Sequence, residues 1–215
     1  MAVLNTKKNL AICIPSGRFV DFSFFKSFTQ SIGQIMLSYN TAVFTVSSPM
    51  IFENRNEIVR RAFAFEQSNA PFKFDYMLWL DNDIVFSFDQ VKKLIGHIEA
   101  GEAFVSGVYY NPLEGGIKPV AYWAKGEGYK WLDESELKGN MEVDSVGFGF
   151  CAFKAELMRK IFEKYAPRPF NIRLLDSGSL VTEDQVFCER AKEQGARIML
   201  DASIVVKHAK GYLPH

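Results

Sequence analysis

The sequence predicts an α/β fold with a central mixed, mostly parallel sheet flanked by helices. Three observations carry that expectation. Short apolar runs end at turn residues, stretches of helical period separate them, and the alternation βαβαβαβ persists from Leu10 to Tyr110. At 215 residues the chain suits one α/β domain.

Leu10 to Pro15 is expected to be a buried parallel strand, stopped by Pro15 and turned by Ser16-Gly17. Phe25, Phe28, Ile32, Ile35 and Met36 then recur at helical spacing. Thr41 to Val46 is a second strand. Asn54-Arg55-Asn56-Glu57 has the form of a capping box, with Asn54 as the cap of a helix carrying Ile58, Ala62 and Phe65. Tyr76 to Leu80 is the third strand, Val91 to Ile98 the third helix and Ala103 to Tyr110 the fourth strand. Beyond it, Val120–Trp123, Tyr129–Leu132 and Met141–Phe153 are expected as strands between Gly-rich turns. Thr182-Glu183-Asp184-Gln185 is a second capping box, opening a helix that ends at Gly195. Arg197–Leu200 and Val205-Val206 are late strands. No repeat or linker interrupts the chain, so residues 1–215 are expected as a single domain. Residues 1–110 are expected as a nucleotide-binding-like half and 111–215 as a mixed half.

Composition narrows the function. Hydrophobic residues make up 48 % and charged residues 23 %, as in ordinary globular proteins. The net charge of zero argues against a nucleic-acid partner held by its backbone. No run is long enough for a membrane span, and Met1–Leu10 lacks the apolar core of a signal peptide. Cys13, Cys151 and Cys188 lie far apart, which disfavours disulfides and structural zinc and makes a reducing cytoplasm the default.

The chemistry gathers around Asp81-Asn82-Asp83. Two carboxylates two residues apart at a strand end share one face and need a cation, for which a hard divalent metal is suited. With ten Asp in the chain, chance alone gives roughly half a DxD. Position after the most apolar strand adds weight, since ligands of such sheets bind at carboxyl ends; a turn in which Asp bonds backbone is the plain alternative. An EF-hand is excluded, because Phe86 and Lys92 stand where Gly and Glu are required. Arg55 at a helix start suits a phosphate, or is a solvated charge. Glu183 and Asp184 in a first helical turn are stabilised by the dipole, and either could accept a proton from a hydroxyl. His208, between Lys207 and Lys210, suits a further metal ligand beside phosphates. Alternating glycines in Val146-Gly147-Phe148-Gly149-Phe150 mark close approach of a ligand or another backbone. Tyr122, Trp123 and Trp131 could stack on a sugar, although core packing accounts for them as well.

In this order along the chain, these elements resemble a GT-A glycosyltransferase, and the compactness is similar to small viral and phage members. The resemblance implies a Rossmann-like GT-A fold and transfer of a sugar from a nucleotide-diphosphate sugar, UDP-linked in the first instance, to a glycan or glycoprotein acceptor, in a host cytoplasm if the chain is viral. It further implies that Pro15, Ser16 and Gly17 line the base pocket with Arg55 nearby. Asp81 and Asn82 then meet the ribose, Asp81 also joins the metal shell, Asp83 and His208 ligate Mn²⁺ or Mg²⁺, Gly147 approaches substrate, and Lys210 reaches the diphosphate. Asp184, with Glu183, is the expected base. A base opposite the leaving group inverts the sugar, whereas proton capture by the leaving diphosphate retains it. Two rivals stand beside this. Leu80-Asp81-Asn82-Asp83-Ile84-Val85 also fits a haloacid-dehalogenase-type phosphotransferase with Asp81 as nucleophile, although that motif normally sits on a first strand. A non-catalytic nucleotide-sugar-binding module would need the same pocket.

Overall fold

Both faces of the central sheet are covered by helices, which is why its strands are nearly unbroken apolar runs. The computed structural model describes residues 7–113 and 116–209. The first half runs β1 (Asn9–Ser16), α1 (Phe22–Ser38), β2 (Asn40–Ser47), α2 (Ile51–Ser68), β3 (Tyr76–Leu80), β4 (Ile84–Val85), α3 (Phe88–Glu99) and β5 (Phe104–Val108). A hairpin-rich stretch follows: β6 (Tyr110–Leu113), β7 (Gly116–Pro119), β8 (Ala121–Lys125), β9 (Gly128–Trp131), β10 (Asn140–Val143) and β11 (Ser145–Val146). The chain closes with β12 (Phe150–Lys154), α4 (Ala155–Tyr165), β13 (Arg173–Leu174), β14 (Leu180–Val181), α5 (Glu183–Glu193), β15 (Ile198–Val205) and β16 (Lys207–His208).

The main sheet has seven strands in the order β10-β15-β5-β12-β3-β1-β2. β1 is parallel to β2 and β3, and β5 is parallel to β15. β12 runs antiparallel between β3 and β5, and β10 is antiparallel to β15. β1, β2, β3 and β5 therefore all run the same way, and the sheet is mixed because β12 is inserted antiparallel between β3 and β5 and β10 is antiparallel at the edge. Strand alternation sorts the core onto two faces. Ala11, Cys13, Met77, Trp79, Cys151 and Phe153 pack under α2, α4 and α5, while Leu10, Ile12, Leu78, Leu80, Val105 and Ala152 pack under α1 and α3. On the first face Trp79 meets Phe170 at 5.2 Å, and Phe170 stacks on Phe187 at 4.6 Å. Aromatic pairs of this kind contribute about 0.5–1.5 kcal/mol each beyond their buried area.

Three expectations are corrected. Asn54 is not a helix cap: α2 starts three residues earlier, after Met50, and the Asn54 side chain is buried inside it. Arg55 accordingly sits within a helix rather than at a free N-terminus. The apolar stripe expected for α1 holds for Phe28, Ile32 and Ile35, which pack on the core, and fails for Phe25 and Met36. Phe24, Ser27, Ser31 and Ile35 are buried, while Phe25 and Met36 face solvent. Finally, Met141–Phe153 is three strands, and Gly147-Phe148-Gly149 forms the break before β12. The second capping box holds: the Gln185 side chain accepts the Thr182 N–H at 3.0 Å, and Gly195 has φ 80° just past the helix.

Candidate functional site

The turn leaving β3 is fixed by backbone bonds. The Asp81 N–H donates to the Gly149 carbonyl at 3.0 Å, and the Ile84 N–H closes back on the Asp81 carbonyl at 3.1 Å. Within that turn Asn82 acts as a clamp. Its amide donates to Ser16 Oγ at 2.8 Å and to the Phe19 carbonyl at 2.7 Å, and its own carbonyl accepts the Asp21 N–H. Asn82 therefore ties the β1–α1 loop to the acidic turn, which leaves its amide committed rather than offered to a ribose.

β4 and β16 form a two-stranded ladder that pairs His208 with Ile84, and the Ala209 N–H donates to the Asp83 carbonyl at 2.7 Å. This brings the His208 Nε2 to 3.2 Å from Asp83 Oδ2, as the sequence order suggested. The bond to Asp83 raises the His208 imidazole above its usual value, and burial only partly opposes it. Lys210 lies outside the described residues.

Three consecutive buried residues of α2 organise the rest. Asn54 donates to the Ser16 carbonyl at 2.9 Å and the Ser48 carbonyl at 3.1 Å. Asn56 exchanges two 2.9 Å bonds with the Phe170 backbone. Between them Arg55, 2 % exposed, reaches three carboxylates: Asp81 Oδ1 at 3.2 Å, Glu183 Oε1 at 3.4 Å and Asp184 in direct contact. Its guanidinium lies 5.0 Å from the Phe148 ring centre and 5.9 Å from that of Phe170. An arginine so enclosed lines no base pocket. It holds acids, because an unpaired charge buried here would cost several kcal/mol. The Phe148 N–H adds a 3.4 Å bond to Asp184 Oδ2. Burial pushes the Asp81 carboxyl up, Arg55 offsets part of this, and neighbouring Asp83 and Glu183 add to the rise.

Pro15 and Ser16 are buried in β1, whereas Gly17 is exposed. Gly17, Arg18, Phe19 and Phe22 line a cavity of about 480 Å³ that opens onto Asn82 and Asp83. Gly147 has a different cause from the one expected. A Cβ there would stand 2.1 Å from Tyr109 Oη, and one at Gly149 would stand 2.7 Å from Tyr109 Cζ. The glycines make room for Tyr109, not for a ligand. Tyr109 itself went unnoticed in the sequence. Its buried hydroxyl accepts the Gly149 N–H at 3.2 Å and is held neutral by burial, and its ring meets that of His208 edge-on at 5.8 Å. Trp123 is occupied by a 3.0 Å bond to Glu136, and Tyr122 packs on Trp131 at 4.7 Å.

Among the described residues no group of three or more His, Cys, Asp and Glu side chains has the arrangement of a metal site. Asp83 and His208 nevertheless converge as a carboxylate–imidazole pair. Four carboxylates thus gather against one guanidinium and one imidazole, with Asp81, Glu183 and Asp184 on Arg55 and Asp83 on His208.

No protein-family model and no curated protein matches the chain. Among solved structures, the crystal structure of A197 from STIV matches with a TM-score of 0.58 at 20 % identity, over 91 % of this chain and 82 % of that one. At that identity the likeness shows a shared fold alone, here a mixed α/β sheet flanked by helices. Among the described residues no helix is long and apolar enough to cross a membrane.

Proposed function

We propose that the chain is a GT-A-type, metal-dependent glycosyltransferase that moves a sugar from a nucleotide-diphosphate donor, UDP-linked in the first instance, to a glycan or glycoprotein acceptor. One observation carries the reading. The carboxyl end of β3 gathers Asp81, Asp83, His208, Glu183 and Asp184 from three distant segments, beside a cavity of nucleoside size.

Asp83 and His208 would hold the divalent ion, which when bound stabilises charge developing on the departing diphosphate. Asp81, which bonds Arg55, would support the ion's surroundings rather than hold it directly. The acceptor oxygen forms its bond to the anomeric carbon as the carbon–phosphate-oxygen bond breaks. The electron pair leaves with the diphosphate and the acceptor proton passes to Asp184. Arg55 and the Phe148 N–H hold the Asp184 carboxyl in position for that step. Phe19 and Phe22 offer apolar walls to the donor base.

The phosphotransferase alternative needs Asp81 as a free nucleophile, and the Arg55 contact counts against it. The deciding experiment is a panel of nucleotide sugars with Mn²⁺, followed by release of free nucleotide. Release that requires Mn²⁺ and rises with an acceptor is expected. Donor binding without release would leave a binding module, and an aspartyl-phosphate at Asp81 would make the chain a phosphotransferase.

A further inference from the structure

Residues 22–52 carry one charged side chain, Lys26, in 31 positions; at the chain's 23 % a stretch of that length holds about seven. The segment comprises α1, β2 and the start of α2, all at one flank of the sheet. A solvent-facing helix ordinarily shows a charged face. The outer stripe of α1 instead reads Phe25, Thr29, Gly33 and Met36, flanked by Leu37. Phe25, Met36 and Leu37 are 54, 56 and 75 % exposed. α2, of similar length, has six charged residues.

Beside α1 lies β2, the outermost strand, which pairs with β1 alone. Exposed edges are usually shortened, charged or broken by proline. The opposite edge follows that rule: β10 has four residues and contains Glu142. β2 has eight residues, Asn-Thr-Ala-Val-Phe-Thr-Val-Ser, with neither charge nor proline. Val43 at its middle is 45 % exposed.

We propose that this flank docks a second copy of the chain, β2 pairing antiparallel with β2 of the copy about a two-fold axis. The two seven-stranded sheets then join into one, and the two α1 stripes meet on the same face. The open strand edge selects the occupant. Its outward N–H and C=O groups, apart from the Thr45 carbonyl that takes a 3.4 Å bond from Arg61, offer a ready ladder to an incoming strand, which a lipid surface cannot supply. A second copy presents the same groups in self-complementary order, and the near absence of charge in residues 22–52 limits repulsion of like by like, the Arg61 at this edge being paired with Glu57. The inference is independent of the reaction proposed above.

The test is the solution mass of the full chain by sedimentation equilibrium, up to about 100 µM so that a dissociation constant below that value is seen. Twice 24.4 kDa is expected for the wild type. Val43→Lys and Leu37→Glu, both at exposed positions, are expected to return the mass to that of one chain while melting stays cooperative and loses its dependence on protein concentration. Hydrogen exchange at the outward β2 amides should speed up in both variants. A monomeric wild type would overturn the proposal, as would a dimer that survives both substitutions. A monomeric wild type that pellets with phosphatidylglycerol vesicles would assign the face to a membrane instead.

Discussion

Two acidic pairs meet at one end of the sheet, and they are held in opposite ways. Asp83 of the first faces an imidazole; Asp184 of the second faces a guanidinium. An imidazole gives up its proton near neutral pH and then offers a lone pair, while a guanidinium never does. The first pair thus faces a partner that can lose its charge, and the second faces one that cannot. Arg55 also reaches back to Asp81, so one buried cation divides the first pair, engaging Asp81 and leaving Asp83 to His208.

Under the proposed function, Asp83→Ala should abolish Mn²⁺-dependent nucleotide release. Mn²⁺ at a hundred times its dissociation constant should stabilise the wild type by about 2.7 kcal/mol and leave this variant unmoved, as read by thermal shift. Full activity in Asp83→Ala would erase the distinction between the pairs. Asp184→Asn should lower kcat by about 10²–10⁴-fold with donor affinity kept; a parallel fall in affinity would make Asp184 a binding residue.

Arg55→Met strips three carboxylates of their shared cation and should cost about 3–5 kcal/mol in urea unfolding, because uncompensated charge stays buried. A loss under about 1 kcal/mol would mean that water reaches the cluster. The smallest effect concerns His208. Its folded value is raised above the ordinary 6.5, so its contribution is complete below that pH and is lost as pH rises through the folded value. Wild-type stability without metal should fall across that window by less than about 1 kcal/mol, since the site is only half-buried. His208→Asn should flatten the slope, and wild-type Mn²⁺ affinity should climb over the same range.

Strands β1, β3 and β5 and helices α3 and α5 were legible because apolar period and capping are local signals. The role of Asn54-Arg55-Asn56 was not. The pattern that suggests a cap is identical whether an asparagine faces its own helix or a loop 38 residues away, as Asn54 does through Ser16. The meeting of Asp83 with His208 was expected from their order, but the ladder that brings it about, two residues on each strand, is too short to carry a period. Tyr109 was invisible for another reason. Its imprint lies on Gly147 and Gly149, and a missing side chain records that space is filled without naming what fills it.

The reversed strand β12 has a consequence for how the chain comes together. β3 and β5 follow one another in sequence, yet neither is finished until β12 slides between them some 40 residues after β5 ends. β5 then needs β15 on its other side, later still. The acidic turn after β3 is fastened by Gly149, from the same late segment. Assembly of the centre thus waits on distant partners, the order of events that slows folding most. The fragment 1–110 holds both Asp81 and Asp83 but lacks the neighbour that locks them in place.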